Sequence, residues 1–95
     1  MDAYVIASAL WGNCGNMGLA RIGLISHELG HFLGLADLYD ASTKDQRGVC
    51  SGLYDLMSDT WGLDFTQHYP PLMSPWTKTQ LGWLTPTVMA VPSGA

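Results

Sequence analysis

The chain has 95 residues, a length that suits one small domain or part of a larger one. Hydrophobic residues make up 47% of it and charged residues 13%, which excludes an intrinsically disordered chain. Four Lys and Arg stand against eight acidic residues, giving a net charge of -4 and no basic surface for nucleic acid. No run approaches the roughly 18 apolar residues of a membrane span.

The first predicted element is a buried β-strand over residues 4–11, where β-branched and aromatic residues are frequent. Asp2 precedes this run and Ser8 interrupts it, so it is not typical of a signal peptide. A loop rich in Gly and Asn follows over residues 12–18.

Apolar spacing predicts a helix that starts near Leu19. Apolar residues recur there at steps of three and four, the period of a helix with one buried face. They are Leu19, Ile22, Ile25, Leu29, Phe32 and Leu33. Gly34 is a natural stop for this helix.

Residues 35–72 show no sustained period and are predicted to be mostly irregular. Ser74 and Pro75 then form an N-cap and first-turn signal, and Gly82 suits the far end. A second, shorter helix is therefore predicted over residues 75–81.

The first predicted helix carries an H-E-x-x-H pattern, which runs from His27 through Glu28 to His31. Residues four apart lie on one helical face, about 6 Å apart along the axis, so both imidazoles can reach one metal ion. Glu28 adjoins the first ligand, where its carboxylate can act as general base on a metal-bound water. His27 and His31 are thus predicted metal ligands, and Glu28 is the predicted catalytic residue.

A catalytic zinc site normally has a third protein ligand. Glu28 is the only glutamate, so the candidates are Asp37, Asp40, another Asp or His68. Asp37 is favoured, because it lies three residues after Gly34, a glycine that permits a turn back toward the metal. The expected cofactor is zinc, held by Asp37 and the two histidines.

Three segments carry a family resemblance: the zinc motif with residues 34–40, residues 54–58, and residues 73–83. Together they resemble the immune inhibitor A family of secreted zinc metallopeptidases, which are metzincin-like with Asp as the third ligand. The resemblance covers residues 22–84. That family usually has Pro where this chain has Ala36.

The resemblance implies an α+β, metzincin-like catalytic domain. Residues 1–95 would form part of it, namely the active-site helix and the lower, mostly irregular and helical subdomain. Residues 54–58 would be the Met-turn, with Met57 as an apolar base beneath the ligand imidazoles. Asp55 would hold the turn or accept an N–H from a ligand imidazole. A polypeptide substrate, further domains of a longer parent chain and an extracellular setting are also implied.

The predicted function is therefore zinc-dependent hydrolysis of peptide bonds through a metal-bound water, with Glu28 as general base. The alternative is a non-catalytic zinc-binding fragment or interaction module that lacks the substrate-binding subdomain. A weaker alternative is a zinc hydrolase for a non-peptide amide.

Other residues receive more ordinary interpretations. If the chain is exported, Cys14 and Cys50 are predicted to form one disulfide. The loop aspartates miss the spacing of an EF-hand loop and are expected to be solvated turn residues rather than calcium ligands. They are Asp40, Asp45, Asp59 and Asp64. Four aromatic residues are expected in the core: Trp61, Phe65, Trp76 and Trp83.

Overall fold

A computed structural model of the chain describes residues 4–12, 18–39 and 51–92. They contain two α-helices, α1 (Ile22–Phe32) and α2 (Pro75–Gln80), and a short 3-10 helix at Gly52–Tyr54. Neither described α-helix has the length and apolarity needed to cross a bilayer. The predicted disulfide of Cys14 and Cys50 lies outside the described residues.

The prediction of a buried strand over residues 4–11 is wrong. In the described part of the chain, β-pairing amounts to one antiparallel bridge between Leu10 and Leu19. Tyr4 and Ile6 are 78% and 76% exposed. A segment paired at one position, with no sheet around it, cannot bury a face however apolar it is. The α+β class is a property expected of a complete domain and stays a prediction.

The start of α1 is held by a residue far away in sequence. Arg21, at the N-cap, gives the helix no side-chain cap. Instead, the Gln67 carbonyl accepts the Gly23 N–H at 2.9 Å, and Gln67 Oε1 accepts the Leu24 N–H at 3.1 Å. These bonds satisfy two of the four free N–H groups of a helix N-terminus. They also offset the strain of Gln67, whose φ of 62° is unfavourable for a residue with a Cβ.

The predicted C-terminal ends of both helices are confirmed, but α1 begins at Ile22, three residues after the predicted start near Leu19. Gly34 and Gly82 follow α1 and α2 with φ of 95° and 74°, the left-handed conformation that stops a helix. α2 begins as expected, because the Ser74 hydroxyl accepts the Thr77 N–H at 3.3 Å and Pro75 is the first helical residue.

The buried face of α1 is not the apolar face predicted from the period. Gly23, His27 and Gly30 are buried. A Cβ at Gly23 would lie 2.1 Å from the Thr60 carbonyl oxygen, and one at Gly30 would lie 2.3 Å from Met57 Sδ. The chain after residue 55 therefore packs closest where α1 has no side chain. Four of the six residues on the predicted apolar face are about half exposed, with values of 55% for Ile22, 47% for Leu29, 51% for Phe32 and 48% for Leu33.

The buried interior of the described residues is small and largely polar. Its apolar members are Leu35, Leu56 and Met57. Its polar members are His27, Asp55, Ser58, Asp59, Gln67 and Thr77. The four aromatic residues expected in the core are exposed instead, Trp61 at 38%, Phe65 at 50%, Trp76 at 58% and Trp83 at 62%. Burial is therefore concentrated around the H-E-x-x-H helix and the turn that follows residue 54.

Candidate metal centre

The three residues predicted as metal ligands meet at one point. Asp37 Oδ1 lies 2.9 Å from His27 Nε2 and 3.0 Å from His31 Nε2. The two imidazole rings are nearly perpendicular, with centroids 4.7 Å apart. One turn of α1 supplies both histidines, and the turn at Gly34 returns the chain so that Asp37 reaches them. This group of side chains could bind a metal ion.

Backbone carbonyls fix the orientation of both rings. His27 Nδ1 lies 3.0 Å from the Leu56 oxygen, and His31 Nδ1 lies 2.8 Å from the Leu35 oxygen. A carbonyl oxygen only accepts, so each Nδ1 must carry the hydrogen. The Nε2 lone pairs of the neutral rings then point at Asp37 Oδ1, which is also an acceptor. Such a convergence of acceptors is satisfied by a shared proton or by a metal cation.

The spacing of the donor atoms also suits a metal ion. In a tetrahedral site with bonds of about 2.0 to 2.2 Å, ligand atoms lie about 3.3 to 3.6 Å apart. The two Nε2–Oδ1 distances, 2.9 and 3.0 Å, are about 0.3 to 0.7 Å shorter, and a rotation of the partly exposed Asp37 side chain would lengthen them.

The structure does not bring the other described candidate to the site. His68 is exposed, and its ring lies edge-on to Tyr69 with centroids 6.4 Å apart. Among the described residues, the metal-binding group consists of the two helix histidines and Asp37. Asp40, the remaining named candidate, lies outside the described residues.

Glu28, the predicted base, lines a cavity beside the first predicted ligand. The cavity has a volume of about 290 Å³, and His27 forms part of the same wall. Its other walls come from Leu24, Tyr39, residues 58–61 and Gln67. Glu28 itself is half-buried. The carboxylate next to the metal group therefore borders a space large enough for part of a ligand.

Tyr39 is a site residue that the sequence did not single out. Its ring stacks on His27, with centroids 6.2 Å apart and planes 29° apart. The pKa of the Tyr39 phenol is raised, chiefly by its partial burial. The charge of Asp37, a hydrogen bond to Asp37 and the charge of Glu28 raise it further. The hydroxyl therefore stays a protonated donor beside the predicted ligand at neutral pH.

Met57 is fully buried beside the helix that carries the motif. Its sulfur would lie 2.3 Å from a Cβ at Gly30, so the thioether lies directly over the helix backbone between the two histidines. The Met57 carbonyl also accepts the Leu38 N–H at 2.9 Å, next to the third ligand. The flexible methionine side chain thus fills the space under α1.

Asp55 holds the turn and does not contact either ligand imidazole. Its carboxylate is fully buried and accepts the Met57 N–H at 2.7 Å, the Ser74 N–H at 3.0 Å and the Thr77 hydroxyl. Burial acts to raise the pKa of Asp55, but the hydrogen bonds from Ser74, Thr77 and Met57 outweigh it and lower the pKa below its usual value. Asp55 therefore joins the Met57 turn to the first turn of α2.

No protein family model, curated protein or solved structure matches this chain. What the chain does must therefore be inferred from its own residues.

Proposed function

We propose that the chain is a zinc-dependent endopeptidase of the immune inhibitor A type. His27, His31 and Asp37 are its metal ligands and Glu28 is its general base. One observation carries the proposal: Asp37 Oδ1 lies within 3.0 Å of the Nε2 atoms of both His27 and His31. Glu28 lines the cavity that adjoins this group. The peptide substrate and the extracellular setting are supported by the sequence resemblance alone and not by this geometry.

The donor set favours zinc. Two imidazole nitrogens and one carboxylate oxygen leave a fourth tetrahedral position open, as in catalytic zinc sites. When bound there, zinc supplies an activated water and polarises the scissile carbonyl. The bonds from Nδ1 to the Leu56 and Leu35 carbonyls keep both Nε2 lone pairs directed at the ion.

The chain's own residues would move the proton. Glu28 adjoins a ligand without being one of the converging groups, so its carboxylate is free to take a proton from the attacking water. Glu28 would then return that proton to the leaving amine. Because it lines the cavity next to His27, it can reach a reacting group there.

Glu28→Gln in the zinc-loaded chain tests this role. The substitution keeps the side chain's size but removes its basicity, so we expect peptide hydrolysis to fall by about 10²-fold or more. Zinc content should stay at one ion per chain, because Glu28 is not a ligand. The matched control is Asp64→Asn, which makes the same acid-to-amide change at an exposed loop position.

Three results are informative. Loss of hydrolysis with zinc retained supports the proposal. Loss of zinc together with activity in Glu28→Gln would mean that the roles are misassigned. A zinc-loaded wild-type chain that folds but cleaves no peptide would instead favour the non-catalytic zinc-binding module.

A further inference from the structure

The cavity beside Glu28 is also lined by a buried acidic residue. This residue is Asp59, which is only 5% exposed. Its Oδ1 accepts the Trp61 N–H at 2.6 Å, which anchors the carboxylate at the turn. The sequence predicts a solvated turn residue at this position, and the structure shows that prediction to be wrong.

Within the described residues, no cation neutralises Asp59. The close contacts between a side-chain nitrogen and a carboxylate oxygen found there all join Asp37 to the two histidines. Arg21, the nearest described cation in sequence to the motif, is engaged elsewhere: its guanidinium lies 4.0 Å from the Trp11 ring centroid and donates to the Thr66 carbonyl at 2.7 Å. A buried carboxylate is costly without a positive partner, and Asp59 has none among residues 4–12, 18–39 and 51–92. A cation entering the cavity would relieve that cost.

The rest of the cavity suits a long side chain with a charged end. Leu24 and the rings of Tyr39 and Trp61 give apolar surface for a methylene chain, and Glu28 adds a second carboxylate. Lys and Arg combine an apolar stem with a cationic head. An acidic substrate side chain would meet two carboxylates and would be disfavoured.

We propose that this cavity takes the side chain of a Lys or Arg residue of the substrate and that Asp59 is the residue that selects it. The inference rests on the proposed function, since it gives the substrate class of that same site. Asp59 selects the side chain by its negative charge. Its hydrogen bond to the Trp61 N–H needs only an oxygen acceptor, so that bond does not depend on the charge.

The test measures binding separately from hydrolysis. Short peptide hydroxamates that differ in one side chain, lysine, norleucine or glutamate, are titrated into the zinc-loaded chain by calorimetry. Norleucine keeps the stem of lysine and lacks its charge. We expect lysine to bind about fivefold or more tighter than norleucine, and glutamate to bind most weakly. Asp59→Asn keeps the Oδ1 acceptor and should abolish the lysine preference, whereas Asp64→Asn should keep it.

A second measurement needs no variant. The lysine preference of the wild-type chain should shrink as salt is raised, because the attraction is between charges. The proposal is overturned by a wild-type chain without lysine preference, by Asp59→Asn that retains the preference, or by failure of every hydroxamate to bind the zinc-loaded chain. Lysine preference without hydrolysis would refute the proposed peptidase and leave the cavity assignment intact. Hydrolysis without lysine preference would refute the cavity assignment and leave the proposed peptidase intact.

Discussion

The Nδ1 atom of His27 lies 3.0 Å from the carbonyl oxygen of Leu56, a residue 29 positions later in the chain. Leu56 stands between the buried carboxylate of Asp55 and the buried side chain of Met57. The orientation of the His27 ring is therefore set by the turn that these residues form. Any change that moves the turn changes the direction of the His27 lone pair.

The first prediction is that both helix histidines are Nδ1–H tautomers in the metal-free chain. Nitrogen-15 spectra, recorded where the rings are neutral, should show protonated Nδ1 and unprotonated Nε2 for His27 and His31. The reason is that both Nδ1 atoms face carbonyls, which only accept hydrogen bonds. Exposed His68 serves as the internal reference, with a mixture of tautomers. A mixture at His27 would contradict the geometry.

The second prediction concerns the third ligand. Asp37→Ala should weaken zinc binding by about 100-fold or more, because one of three protein ligands is lost. His68→Ala should leave zinc affinity unchanged, since His68 lies outside the ligand group. Competition with a chromophoric chelator measures both constants. If His68→Ala weakens zinc binding and Asp37→Ala does not, the third ligand is His68 and not Asp37.

The third prediction is that Asp55→Asn destabilises the chain by about 2 kcal/mol or more. Asn can still accept the Met57 N–H, but it presents an amide group where the Ser74 N–H and the Thr77 hydroxyl need an acceptor. Urea unfolding with a chelator present measures the change without a contribution from bound metal. Asp64→Asn is the control and should change the free energy of unfolding much less, because the Asp64 carboxylate is exposed and its hydrogen bonds are to Thr66, two residues away.

The stabilisation by Asp55 should also depend on pH in a definite direction. The folded pKa of Asp55 is lowered, so its contribution is complete above the unfolded value of about 3.9 and is lost as pH falls through the folded pKa. The stability difference between wild type and Asp55→Asn should therefore be constant from neutral pH to about pH 5 and shrink below about pH 4. A difference that grows on acidification would contradict the assignment.

The fourth prediction is that Gly23→Ala destabilises the chain by about 2 kcal/mol or more, although alanine normally stabilises a helix. The new Cβ would lie 2.1 Å from the Thr60 carbonyl oxygen, which is backbone and cannot rotate away. The comparison is Gly34→Ala, which has open space but a φ of 95° and should cost about 1 to 2 kcal/mol. A stabilised Gly23→Ala would show that the loop does not pack against α1 as described.

Local signals in the sequence were enough to predict both helices and the group of side chains that could bind a metal ion. Ser74, Pro75 and the two helix-ending glycines act on their immediate neighbours, so their effect can be read without knowing the fold. The spacing from His27 to Asp37 likewise spans one helical turn and one reversal of the chain.

The remaining features depend on contacts between distant segments. The apolar period of α1 predicted the wrong buried face, because the loop packs over glycines and leaves the leucine side half exposed. Tyr39 and Asp59 give no local signal, since their roles come from the stacking on His27 and the cavity that the fold creates. The Leu56 and Leu35 carbonyls could not be identified at all, because every residue has a carbonyl.

The carboxylate of Asp55 connects α2 to the candidate metal centre. Its bonds join Ser74 and Thr77 to the same turn whose Leu56 carbonyl holds His27. The turn and α2 should therefore open together in native-state hydrogen exchange, as one cooperative unit. A metal ion held by α1 would then slow amide exchange at Thr77, in a helix that supplies none of its ligands.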